Sequence, residues 1–376
     1  MNLKKLLTYA GFSLALAFAF SCSNGTSGSS SNDISSSSTS TVLPTGDSPV
    51  EAYGELQAKG NKLVGSKTGG VAVQVRGVSL GWSNTGWESA PFFNSTTVSA
   101  MVDHWKAEII RTPIGYAESG GYRNDPSNLT RVKTAIDAAI AKNVYVIIDW
   151  HSHNANNETE AAKAFFAQMA QEYGHYDHVI FEIYNEPTNE NGGTWENIKA
   201  YAEQVIPVIR AHSDNLILVG TRHYSRHLED VVGNALADNN VGYVLHFYSD
   251  NLFLDRILES GDPSSPTFRQ AITQAMDANL MVFISEYGTT DSNGGQGDKI
   301  NSHNAANTDE WLEFMDEKKI SSCAWHVNNK NEGSAFFLPS FNPLSGDYNN
   351  KDAMTASGAY IYDKLRAYSQ TAPWRE

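Results

Sequence analysis

Two cysteines in 376 residues, Cys22 and Cys323, leave no room for a disulfide framework, because Cys22 closes a leader and one thiol remains in the folding part. Charge is scarce as well. Charged residues make up 18%, and 42 acidic against 27 basic side chains give a formal net charge of −15. A surface of that sign repels phosphate backbones and excludes nucleic acid as a partner. The N-terminal apolar stretch, 6–20, falls short of the roughly 20 residues a membrane span needs. No Gly-rich phosphate turn follows the first β-branched run, which argues against an open dinucleotide-binding sheet. There is no Cys ligand cluster and no His-Glu-x-x-His helix, so the expected metal set is none, although His151-Ser152-His153 offers two imidazoles on one side of an extended segment. Nothing else calls for a cofactor. What is present is 41% hydrophobic residues, enough for a large core, and 11% aromatics with 8 Trp and 17 Tyr. Those aromatics suit a rich core and a cleft that stacks flat neutral ligands equally well.

Lys4 and Lys5 precede the apolar stretch, which ends in Ala19-Phe20-Ser21-Cys22. This is the pattern of an export signal over 1–22. Its end resembles a bacterial lipoprotein cleavage box, in which Cys22 would be lipidated; ordinary cleavage near Ser21 is the alternative. The expectation is an exported chain, extracellular or on the cell surface, whose membrane contact is limited to an outer-membrane lipid anchor. Residues 23–52 are dominated by Ser, Thr, Asn and Gly and predict a flexible linker. A single domain is expected over 53–376.

Within it, short β-branched runs alternate with amphipathic segments. The predicted strands are 71–78, 108–112, 144–149, 179–184, 216–220, 243–247, 281–285 and 322–325. Several are continuously apolar, as in Val144-Tyr145-Val146-Ile147-Ile148, which suits parallel strands covered on both faces. Helices are predicted over 96–106, 129–142, 158–173, 195–212, 267–279, 308–319 and 357–368, with a weaker one over 228–237. In 129–142 the apolar positions Leu129, Val132, Ala135, Ile136, Ala139 and Ile140 form one buried face. Eight such units, roughly 30 to 40 residues apart, predict an α/β fold, a (β/α)8 TIM barrel.

In such a barrel, function collects at the C-terminal strand ends. Those ends carry Arg111, Asp149-Trp150-His151, Asn185-Glu186-Pro187, His246-Phe247-Tyr248, Glu286-Tyr287-Gly288 and Trp325-His326. A lone glutamate is most often solvated or ion-paired. Two at strands four and seven, facing across one mouth, fit glycoside cleavage, in which one carboxyl protonates the leaving oxygen and the other attacks the sugar carbon.

The segment Val179-Ile180-Phe181-Glu182-Ile183-Tyr184-Asn185-Glu186-Pro187 resembles the signature of glycoside hydrolase family 5. The runs VYVIIDWH (144–151), LHFY (245–248) and FISEYG (283–288) are similar to its strands three, six and seven, and the order resembles the bacterial endoglucanase branch, subfamily 2. The resemblance spans about 71–332, most of the folded part. It implies Glu186 as acid/base and Glu286 as nucleophile. It implies Asn185 on the sugar's 2-hydroxyl and Arg111 beneath the nucleophile, favouring its charged form. His151, His246 and Tyr248 would orient the carboxyls and the sugar. Trp325 would stack a sugar ring, Lys330 and Glu332 would bind a distal glucose, and Tyr116, Trp82 and Tyr224 would line the cleft. Many relatives carry a histidine after strand one, where Leu80 stands here.

The resemblance therefore implies a retaining endo-β-1,4-glucanase, acting on β-glucan as a monomer. The alternatives are a hydrolase of another β-linked polymer (mannan, xyloglucan or mixed-linkage glucan) and a surface glycan-binding protein without catalysis. The last should have lost one glutamate, and both are present.

Overall fold

The computed structural model describes residues 43–250, 266–295 and 303–375. Cys22, the leader and most of the expected linker lie outside the described residues, as do 251–265 and 296–302. The described chain starts before the predicted boundary at 53. Ser48 caps α1 (Pro49–Tyr53), whose Val50, Ala52 and Tyr53 are buried. A hairpin of β1 (Leu56–Lys59) and β2 (Lys62–Gly65) follows, and the sequence reading missed it. Its turn holds Gly60 at φ 63°, a conformation that glycine adopts without cost.

Eight parallel strands then close a barrel: β3 (Arg76–Leu80), β4 (Ile109–Gly115), β5 (Tyr145–His151), β6 (Val179–Glu182), β7 (Ile217–Gly220), β8 (Val241–Tyr248), β9 (Val282–Gly288) and β10 (Ser322–Val327). The last pairs with the first, Ser322 opposite Arg76. The first barrel strand starts at 76 and not at 71. Val73 and Val75 are apolar because they plug the barrel floor.

The covering helices are α2 (Ser95–Asp103), α3 (Ser127–Ala141), α4 (Thr159–Tyr173), α5 (Trp195–Arg210), the short α6 (Arg222–Ser225), α7 (Phe268–Asp277), α8 (Ala305–Lys318) and α9 (Ala356–Ser369). In α3 the side chains of Val132, Ala135, Ile136 and Ala139 are buried, as the spacing predicts. The helix predicted over 228–237 is only a 3-10 turn, Leu228–Val231; Gly233 turns the chain away at φ 78°.

Strand alternation divides the apolar residues into two cores. Ile110, Val146, Ile148 and Phe181 face the helices. Ile109, Ile147, Ile180, Leu218 and Phe283 fill the lumen together with Tyr53, Leu56 and Leu63 from the N-terminal segment. The floor is tied by Trp374, whose Nε1 donates to Glu108 Oε1 (2.5 Å) and whose carbonyl accepts from Gly46 N (3.0 Å).

Above the lumen the period of two breaks on β9, and again on β10, where Trp325 and Val327 lie opposite the consecutive Ser79 and Leu80 of β3. Val244 and His246 of β8 lie opposite Phe283 and Glu286 of β9. Ser322 and Ala324 of β10 lie opposite Ile284 and Tyr287. The extra residue on β9 is a bulge, and bulges re-aim side chains beside functional sites. Here consecutive residues, Ser285 and Glu286, both reach inward partners.

Candidate active site

Arg111 is the hub of the mouth. Its side chain is fully buried on β4. Nε donates to Glu182 Oε2 (2.8 Å), Nη1 to Glu286 Oε2 (2.9 Å) and Nη2 to Asn185 Oδ1 (2.7 Å), while Asp149 Oδ2 lies 2.9 Å from Nη2. Burial opposes the guanidinium charge, but Asp149, Glu182 and Glu286 outweigh it, so the group stays cationic. Three carboxylates around one cation leave an excess of negative charge. Asp149 absorbs part of it: burial first, then Glu286, push its carboxyl up to about 7 against the pull of Arg111.

Glu286 is held at both oxygens. Arg111 takes Oε2, and the Tyr248 hydroxyl donates to Oε1 at 2.6 Å. Burial, then Glu286, push the Tyr248 phenol far up, so it remains a donor. Asn185 turns its carbonyl to Arg111, which leaves its amide NH2 as the end able to donate to a ligand.

Glu186 stands at the end of the segment after β6. His246 Nδ1 lies 2.9 Å from Oε1, and His153 Nε2 lies 3.3 Å from Oε2. Behind His246, Ser285 donates its only hydrogen to Glu182 Oε1 (2.7 Å). The Ser285 oxygen therefore accepts from His246 Nε2 (2.9 Å), which places a hydrogen on Nε2. Burial raises the Glu186 carboxyl, yet the bonds to His153 and His246 outweigh it and hold the group well below the usual range. An oxygen of Glu186, one of Glu286 and a ring nitrogen of His246 all lie within 4.8 Å of one another. Retaining glycosidases hold their carboxyls about 5–5.5 Å apart, and inverting ones leave a wider gap for water.

The remaining sequence-selected residues are placed as follows. His151 is buried, with Nδ1 2.6 Å from Asp149 Oδ2, and burial followed by Arg111 drives its ring to the neutral form. Trp325 lies parallel to His151 and is 8% exposed. Trp82 meets His151 edge-on (4.3 Å between centroids) and leans on Trp87. Lys330 Nζ is 2.6 Å from Glu332 Oε2. Burial raises the Glu332 carboxyl, but His326 and Lys330 bring it down to about 2. A cavity of about 580 Å³ runs along Trp82, Trp87, Tyr248, Trp325, Lys330 and Glu332. Tyr116 packs against Trp150 beside the mouth. Tyr224 sits at φ 59° with its ring edge toward His153. Leu80 is fully buried among the helix-facing residues and does not reach the cleft.

Sequence reasoning missed Glu182, Ser285 and Trp87, named His326 only as a strand end, and weighed His153 only as a metal ligand. Glu182 carried a signal: a glutamate between Phe181 and Ile183 in an apolar strand has no access to water and must find a buried cation. His153 and Trp87 lie on loops, where no periodicity marks orientation.

The family model described as "Cellulase (glycosyl hydrolase family 5)" matches residues 64–331. Endoglucanase Z of Dickeya dadantii is 38% identical over 287 residues, 76% of this chain and 62% of that protein. Endoglucanase A of Evansella cellulosilytica is 34% identical over 311 residues, 81% and 58% respectively. The chain thus spans less than two thirds of these two relatives. The catalytic domain of Thermobifida fusca endoglucanase Cel5A (E5) superposes with a TM-score of 0.74 at 30% identity, covering 85% of this chain and 99% of that one. A structure from Cytophaga hutchinsonii reaches 0.77 at 35% identity, over 86% and 98%.

Proposed function

The chain belongs to glycosyl hydrolase family 5, and from that premise we propose that it is a retaining endo-β-1,4-glucanase. One observation carries the reading: Glu286 on β9 and Glu186 in the segment after β6 bring carboxylate oxygens within 4.8 Å of each other, each held by different donors. Glu286, oriented by Arg111 and Tyr248, attacks the anomeric carbon. Glu186 protonates the leaving oxygen. The C–O bond breaks as the Glu286–carbon bond forms, and Glu186 then takes a proton from the water that releases the sugar with its configuration retained. Asn185 donates to the 2-hydroxyl, and His151 helps hold the sugar. The platforms Trp82 and Trp325, the Lys330–Glu332 pair, Tyr116 and Tyr224 line a path for a polymer.

On carboxymethylcellulose, Glu286→Ala is expected to abolish turnover, and Glu186→Ala to cost about 10²–10⁴-fold. The Glu186 variant should recover with azide on an aryl cellobioside, giving a glycosyl azide of retained configuration. An inverted azide, or near-native activity of Glu286→Ala, contradicts the assignment. Faster hydrolysis of mannan than of cellulose would move the substrate class and leave the chemistry. The same reading takes 1–22 as an export signal with Cys22 lipidated and the protein as a monomer. Palmitate labelling lost in Cys22→Ser and light scattering test these two points.

A further inference from the structure

His153 is not used by the double displacement as derived above. It stands just beyond β5 with its side chain 37% exposed, and its Nε2 faces the outer oxygen of Glu186. The inner oxygen is already occupied by buried His246, whose far nitrogen is committed to Ser285. Oε2 is therefore the oxygen that an incoming bridging oxygen meets, and His153 reaches it first. Trp82 and Tyr224 flank the imidazole edge-on at 5.7 and 6.1 Å, so the ring is held in place.

We propose that His153 is a positioning residue for the acid/base: its ring carries the resting proton of the Glu186 site and passes it to Oε2 when the bridging oxygen arrives. The proton leaves His153 Nε2, binds Glu186 Oε2 and departs with the leaving hydroxyl. The pair is then neutral imidazole and carboxylate, and the proton taken from attacking water restores it. Around His153 the described charged and titratable groups are Glu186 after β6, Glu118 after β4, His151 on β5, Tyr224 after β7, His246 on β8 and Glu286 on β9. The negative groups dominate. Burial disfavours the charged ring, but Glu186, with Glu118 and Glu286, outweighs it and raises the imidazole above its ordinary value.

Two sites that share one proton release it at a higher pH than either alone. Removing His153 must then pull down the alkaline limb of kcat/KM, whereas a merely structural role scales the whole profile. The inference rests on the glucanase reading, so the test has an arm independent of turnover. In His153→Asn and His153→Gln the alkaline limb on an aryl cellobioside is expected to fall by about one pH unit, the scale at which coupled groups titrate as a pair. In NMR, the His153 ring, identified by its loss in His153→Asn, should titrate at lower pH in Glu186→Gln than in wild type. An unmoved limb in both variants, a limb restored by Gln (which keeps a donor but has no proton to give), or an unmoved imidazole midpoint each overturns the proposal. If wild-type protein cleaves no β-glucan at all, the glucanase reading falls, and the NMR arm still decides the pair.

Discussion

At the scale of single residues, the mouth is organised by buried charge. Arg111 contacts Asp149, Glu182 and Glu286, and Glu182 takes two of its nitrogens. Breaking such a pair leaves an uncompensated buried ion and costs about 3–5 kcal/mol. Glu182→Ala is expected to lose stability on that scale in urea unfolding; a loss below about 1 kcal/mol would mean that Asp149 takes over the guanidinium. The contrast with the sequence reading lies here. Glu186, Glu286 and Arg111 were legible because each follows an apolar run in the sequence of a barrel, where the ends of such runs converge. Glu182 and Ser285 were not chosen, because their role depends on neighbours more than 70 positions away from Arg111 or Glu182. Trp325 was legible as a mouth aromatic, but its parallel packing on His151 belongs to three dimensions.

At the scale of elements, eight strands and most helices were legible from periodicity. The misses have physical causes. The hairpin strands have four residues each, too few for an alternation to register, although Lys59-Gly60-Asn61-Lys62 carries a turn signal. The valine-rich run from Val71 to Val75 looked like a strand because floor plugs and strands share such side chains. The bulge on β9 is invisible to any strict period, and yet it turns Ser285 and Glu286 the same way. The last helix depends on a cap: Thr355 accepts from Gly358 N (3.0 Å) and donates to the carbonyl of Ala335 (2.5 Å) from a buried position. Thr355→Ala should lower unfolding free energy by about 1–2 kcal/mol, read by urea denaturation. Thr355→Ser should recover most of it, since the hydroxyl returns.

At the scale of the whole molecule, stability depends on pH through the floor. Burial, opposed by the bond from Trp374, pushes Glu108 up to about 7. Its unfolded value is about 4.3, so the folded state binds the proton more tightly. That contribution is complete below the unfolded value and is lost as pH rises through about 7. Unfolding free energy should therefore decline between about pH 4.5 and 7, and Asp149 adds to the decline in the same sense. Glu108→Gln should flatten the slope by about 1 kcal/mol per pH unit, whatever constant cost the amide brings. Urea titrations at four pH values decide this, and parallel slopes for the two proteins would place the dependence elsewhere.

The same floor joins the two ends of the described chain, through Gly46 and Trp374, at the pole opposite the mouth. The molecule consequently has a stem and a face. A fusion partner joined at Gly46 or at Trp374 grips the stem, and the cleft looks away from it in both cases.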